Sequence, residues 1–277
     1  MQGFHHWTPP SGTLGTLVDE ARRRADALAE RLPELERRVE RAARVPSFAA
    51  ALRRPHVAVI AEIKRRSPSK GDINPGISAD EQARAYANGG AAALSVLTEP
   101  TRFGGSEADL EAARAAVSIP LLKKDFHVAP AQVLEARTLG ASALLLIARA
   151  LRPTQLRALT ALALDVGLDV LVEVRDEHEL DTALSTEAPV IGVNNRNLET
   201  LAIDLATGER LVPQIPADRV AVFESGIATP DDVRRAATAG ADAVLVGSTL
   251  SAAADPGMAV RALASVDRRR RTRAAVA

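Results

Sequence analysis

The sequence predicts a (β/α)8 barrel carrying an N-terminal helical extension. Three observations point there. Eight short apolar runs recur about every 20 to 35 residues, separated by segments rich in Ala, Arg, Leu and Glu. The runs are dense in Val, Ile and Leu and too compact for ordinary helices, as expected of parallel strands buried on both faces. Polar side chains gather at the C-terminal end of the runs, while the starts are nearly pure hydrocarbon.

The helical extension comes first. Residues 12–54 contain no strand-like run, and TLVDEARRRADALAERL sets Leu17, Ala21, Ala25 and Leu28 on one side at helical spacing. Pro33 marks a turn or the start of a second helix, and Pro46 closes the region. The strands then follow as VAVIAEIK (57–64), ALSVLTE (93–99), PLLKKDF (120–126), ALLLIAR (143–149), DVLVEV (169–174), VIGVNNR (190–196), AVFESGI (221–227) and AVLVGS (243–248). Three are preceded by Gly-Ala, in GGAAALSVL, LGASALLLI and AGADAVLVG, where glycine suits a left-handed helix cap feeding the next strand. A barrel of this kind typically needs about 250 residues, and the chain has 277. The competing doubly wound sheet would show a glycine-rich dinucleotide fingerprint after its first strand, and none is present.

The expected organisation is a flexible tail over residues 1–11, including His5 and His6, a barrel unit over 12–266, and a solvated basic tail over 267–277 containing DRRRRTR. No second catalytic unit is expected beyond the eighth strand. Thirty-five basic residues balance thirty-five acidic ones, which argues against a general nucleic-acid or membrane-surface binder. The absence of cysteine excludes disulfides, thiolate metal sites and cysteine nucleophiles. No apolar run reaches the roughly 18 residues that span a bilayer, and no secretory signal opens the chain, so a cytoplasmic protein is expected.

In a barrel the active site lies at the C-terminal ends of the strands. Side chains alternate faces along a strand, and an unpaired charge against apolar helices costs several kcal/mol. Glu62 and Lys64 should therefore both point into the mouth, as should Asn194 with Arg196, and Glu173. For Lys123 and Lys124 either could be the inward one. ESGI and VGS, ending the last two strands, add Ser225, Gly226, Gly247 and Ser248. Glycine there allows close backbone approach, and loops after strands seven and eight commonly cradle phosphate. A phosphorylated small molecule is the ligand class expected on these grounds.

The stretches AEIKRRSPSKG, VLTEPTRFGGS, LLKKDF, LLLIARAL, LVEVRDEHEL, IGVNNRNLETL, ESGI and GADAVLVGSTL together resemble the indole-3-glycerol phosphate synthase family, over roughly residues 14–265. The resemblance implies the conversion of 1-(2-carboxyphenylamino)-1-deoxyribulose 5-phosphate to an indole, with loss of carbon dioxide and water, in tryptophan biosynthesis. It implies Lys124 as general acid and Glu173 as general base, Lys64 on an anionic substrate group, and Glu62 and Asn194 orienting substrate and lysines. It places Ser225, Gly226, Gly247 and Ser248 at the phosphate, Ser67 and Arg196 on polar or anionic groups, and Phe103, Phe126 and Leu198 around the aromatic ring. Asp125 and Glu224 are expected to support these groups from behind. No metal or organic cofactor is expected, and a monomer or weak homodimer is the expected state. AVFESGI departs from the family in its phenylalanine, Phe223, where a smaller residue is usual. LLKKDF departs at Lys123, where arginine is common.

Three other readings compete. A Schiff-base aldolase would use Lys124 or Lys64 as nucleophile. Phosphoribosylanthranilate isomerase relies on a cysteine that this chain lacks. A binding protein without turnover would have no need of all the proton-transfer groups. Taken singly, the Glu62–Lys64 pair could be an ion pair that merely closes the mouth; the convergence of titratable groups favours a site.

Overall fold

The structure, a computed structural model, describes residues 7–269 and Arg271. Eight parallel strands close into a barrel: β1 (Ala58–Ile63), β2 (Ala93–Leu97), β3 (Leu121–Lys124), β4 (Ala143–Ile147), β5 (Asp169–Val174), β6 (Val190–Asn194), β7 (Val220–Glu224) and β8 (Ala243–Val246). Each pairs with its neighbours in sequence, and β8 returns to β1 through Ala58↔Ala243 to Ala61↔Val246. Nearly every strand residue is buried, because one face fills the barrel and the other meets the helices.

Three helices precede the barrel: α1 (Gly12–Ala29), α2 (Leu32–Glu40) and α3 (Phe48–Ala51). The outer layer comprises α4 (Ala79–Asn88), α5 (Glu107–Ala116), α6 (Pro130–Thr138), α7 (Pro153–Asp165), α8 (Glu177–Leu184), α9 (Ala206–Leu211), α10 (Pro230–Ala239), α11 (Ser248–Ser251) and α12 (Pro256–Leu263). Pro33 sits in the first turn of α2, where its missing N–H costs nothing. On α1 the buried stripe is Leu14, Leu17, Val18, Ala21 and Ala25. Leu28 turns away from it, into a small cluster with Leu35, Ala131 and Leu134. The Gly-Ala junctions end helices as expected, with Gly90, Gly140 and Gly240 at φ of 98°, 80° and 93°. At the last of these, Gly240 N–H donates to Ala237 O and Ala241 N–H to Ala236 O, closing the helix end.

Both expected tails make contacts with the barrel unit where they are described. Within residues 7–11, the Arg152 guanidinium lies 5.6 Å from the Trp7 ring centroid, and Thr8 O accepts from Arg149 at 2.7 Å. At the other end Asp267 pairs with His56 at 2.8 Å, while Arg268 and Arg271 converge on Asp242 at 2.8 and 2.7 Å. A block of like charge stays extended only when no acidic partner is near; buried Asp242 supplies one. His5, His6, residue 270 and residues 272–277 lie outside the described residues.

Phe223, the unusual residue of β7, is matched by a glycine. An added Cβ on Gly208 of α9 would stand 2.2 Å from the ring. The aromatic ring thus fills the space that a side chain at 208 would need.

Candidate active site

Strand register sorts the inward side chains. Glu62 is level with Ser95, Leu97 with Lys124, Ile147 with Glu173, and Asn194 with Glu224. All but Ser95 line one cavity at the C-terminal mouth, the end of the barrel where sites of this fold are built. The same alternation turns Lys123 outward, where its ammonium meets Glu135 of α6 at 2.5 Å. Lys124 is therefore the inward member of the KK pair.

The charged groups meet closely. Lys124 Nζ stands 3.5 Å from Glu173 Oε2, and Lys64 Nζ stands 3.3 Å from Glu62 Oε1. Asn194 fixes Glu173: its Nδ2 donates to Glu173 Oε1 at 2.9 Å, while its Oδ1 accepts from Arg196 N–H and Ser225 Oγ, each at 2.9 Å. The amide is thereby held in one orientation. Burial alone would pull the Lys124 pKa down, but the negative charge around it, Glu173 foremost, holds it above the ordinary lysine range. An ammonium so placed stays protonated through the neutral range and can donate a proton. It is poorly suited to act as a free amine nucleophile.

The end of β1 is pinned from outside the barrel. The Glu62 carbonyl accepts from Tyr86 at 3.2 Å and from Ser251 at 3.0 Å, and Lys64 N–H donates to Ser251 Oγ at 3.2 Å. Beyond Lys64, Arg65 grips Asp109 at 2.5 and 2.8 Å and the Ile77 carbonyl at 2.9 Å. The SPSKG segment then forms a two-residue ribbon, Arg66–Ser67 against Gly71–Asp72. Ser67 is buried and lines the cavity, its Oγ accepting from Lys70 N–H at 3.2 Å.

The aromatic wall depends on Glu99. Its carboxylate accepts from the backbone N–H groups of Thr101, Arg102 and Phe103 at 2.9, 2.7 and 2.9 Å, folding the loop that presents Phe103. The Phe103 ring lies 6.4 Å from that of Phe126 and 5.5 Å from Lys64 Nζ. Leu198 and Arg196 complete this side, with Arg196 donating to the Leu201 carbonyl at 2.9 Å.

The expected phosphate residues are only partly gathered at the cavity. Ser225 lines it, at φ 66°, whereas Gly226, Gly247 and Ser248 are not among its lining residues. Gly247 nevertheless touches the site, since a Cβ there would lie 2.3 Å from Glu62 Oε1. Gly226, at φ 85°, instead borders Leu205 and Ile203. Sequence reasoning missed Thr13 and Leu17 of α1, which line the cavity. The only available signal was the apolar stripe of α1, which does not reveal what it packs against. Among the described residues no group of three or more His, Asp or Glu side chains is arranged to hold a metal ion.

Behind the wall, Asp125 ties the extension to the site. It accepts from Arg24 of α1 at 2.6 Å, from Thr98 at 2.8 Å and from Phe126 N–H at 2.8 Å. Nearby His127 is fully enclosed, its Nδ1 bonded to the Leu145 carbonyl at 2.9 Å. Burial, reinforced by the Lys123 charge, lowers its pKa from 6.5 to about 4. A depressed histidine pKa contributes stability above 6.5 that is lost as pH falls toward 4. At 1.36 kcal/mol per pH unit, about 3 kcal/mol should be gone by pH 4. Denaturant titrations of the wild type and His127→Gln should therefore converge by that amount between pH 7 and pH 4. Parallel curves would refute the burial argument.

Among the described residues no helix is long and apolar enough to cross a membrane. The profile of the indole-3-glycerol phosphate synthase family matches residues 14–263. An indole-3-glycerol phosphate synthase of Streptomyces coelicolor is 50% identical over 261 residues, covering 91% of this chain and 99% of that protein. One from Nocardioides sp. is 54% identical over 223 residues, covering 80% of this chain and 84% of its own length. A solved structure, thiamine phosphate pyrophosphorylase from Pyrococcus furiosus, aligns with a TM-score of 0.57 at 17% identity, over 76% of this chain and 95% of that one. That last likeness bears on the barrel alone.

Proposed function

The chain belongs to the indole-3-glycerol phosphate synthase family, and we propose that its inward lysines and carboxylates divide the proton transfers of that reaction among them. The substrate is an N-alkylated anthranilate bearing a ketone and a terminal phosphate. Its ring carbon attacks the ketone, carbon dioxide leaves, and water is then eliminated to give the indole. Two protons must be delivered, one to the ketone oxygen at ring closure and one to the departing hydroxyl. One must be removed from the new ring.

The observation that carries the assignment is the 3.5 Å approach of Lys124 to Glu173 across a cavity shared with Lys64, Glu62 and Asn194. Lys124 acts as the general acid, its positive charge sustained by Glu173 and Glu62. Glu173 acts as the general base, with Asn194 aiming its carboxylate. Lys64 holds an anionic group of the substrate, and Glu62 holds Lys64. Phe103, Phe126 and Leu198, joined by Leu17, clasp the anthranilate ring. Ser67 and Arg196 take polar or anionic groups at the rim.

The phosphate seat is assigned to Ser225, Gly226, Gly247 and Ser248. Ser248 opens α11, so its N–H lacks an intrahelical acceptor.

Proton-transfer lysines and covalent lysines give opposite results with borohydride. Turnover in its presence should yield the fluorescent indole product and leave the chain at its unmodified mass. A substrate adduct on Lys64 or Lys124 would replace this mechanism with Schiff-base chemistry.

A further inference from the structure

Glu224 ends β7 with its carboxyl folded over the β6 backbone. An added Cβ on Gly192 would stand 2.0 Å from Glu224 Oε1, so the glycine is what leaves the carboxyl room. Glu224 is 2% exposed there. One buried oxygen in this region, Oε1 of Glu224, has no donor, and Oε2 of Glu173 has the Lys124 ammonium at 3.5 Å. Gly192 is level with Glu173 in the strand register, so the Glu224 carboxyl folded over Gly192 is a neighbour of the Glu173 side chain, yet two ionised carboxylates are acceptors only. Such a pair at close range does not ionise twice.

The surrounding charges point the same way. Glu224 is faced by Glu173 from β5, Lys124 from β3 and Glu62 from β1. Lys64 is paired with Glu62, and Asp125 is matched separately by Arg24. Arg196, a further cation at the mouth, is turned to the Leu201 carbonyl. Three inward carboxyls thus stand against two ammonium groups, and one carboxyl is left without a countercharge.

We infer that Glu224 is a neutral carboxylic acid in the working enzyme, a positioning residue that donates a hydrogen bond to Glu173 and fixes the direction in which that base faces the substrate. This rests on the reading of Glu173 as the base. Burial and then the charge of Glu173 hold the Glu224 carboxyl well above the ordinary carboxylate range. With Asn194 bonded to Glu173 Oε1 and Lys124 beside Oε2, a further donor from Glu224 leaves the base little freedom to rotate. Glu224 keeps its proton through the cycle.

Infrared difference spectra of the substrate-free wild type against Glu224→Gln at neutral pH should show one protonated-carboxyl carbonyl band belonging to the wild type. In kinetics, Glu224→Ala should lower kcat about ten- to a hundredfold, the scale of a lost hydrogen bond to a charged group, with little change in KM. Glu224→Gln, whose amide still donates, should recover most of that loss. It should also lack the alkaline fall in kcat that ionisation of Glu224 produces in the wild type.

Absence of the band, or its survival in Glu224→Gln, overturns the neutral acid and leaves the base assignment intact. Equal impairment of the two folded variants overturns the positioning role. If Glu173→Gln stays active while the band is present, the base reading falls and the positioning role falls with it.

Discussion

Lys124→Ala is expected to lower kcat by about 10²–10⁴-fold, the contribution of one positioned proton donor, with the circular dichroism spectrum unchanged. The lysine sits at the tip of β3, and its ammonium has Glu173 at 3.5 Å. On the proposed assignment its removal takes the proton source from the ketone oxygen and the departing hydroxyl, and leaves Glu173 without the cation at 3.5 Å. Substrate binding should suffer less than turnover, because the aromatic wall and the phosphate seat lie elsewhere. Lys124→Arg separates charge from acidity: the guanidinium preserves the positive charge, but it does not deprotonate in proteins. It should remain strongly defective. If either variant kept near-wild-type kcat in a fluorescence assay for indole formation, Lys124 would not be the acid.

Glu173→Gln should produce a loss in the same range, about 10²–10⁴-fold in kcat. The substitution keeps the shape of the side chain and removes only its capacity to take a proton. Asn194 Nδ2, which now donates to Glu173 Oε1, can still find the amide oxygen, so the local geometry should persist. The variant should bind substrate and accumulate a species that has closed its ring without losing water. Chemical quench with mass analysis would detect it, and full turnover instead would move the base to another carboxylate.

The barrel was legible because its strands are chemically one-sided along their length: hydrocarbon at the start, charge at the finish. The inward position of Glu62, Glu173 and Asn194 followed from strand alternation. Lys123 and Lys124 show the limit of that argument. Both are charged neighbours at a strand end, and only the register, with Leu97 level with Lys124, separates them. Lys123 could be mistaken for a site residue because its partner, Glu135, lies twelve residues on in a helix. Glu224 was recognised as a supporting group, but its closeness to Glu173 depends on Gly192, which in the sequence is an ordinary strand glycine. The contribution of Thr13 and Leu17 was hidden for a different reason. A helix outside the repeating pattern carries no internal sign of where on the barrel it will dock.

That docking has a consequence for the order of events in synthesis. Helix α1, made before any strand of the barrel, supplies one wall of the chamber, and its Arg24 meets Asp125, while Ser11 at its start meets Glu199. These partners leave the ribosome long after α1 does. A nascent chain therefore holds an unfinished chamber until Leu245 of the last strand has emerged, and the onset of turnover would report that α1 has come home.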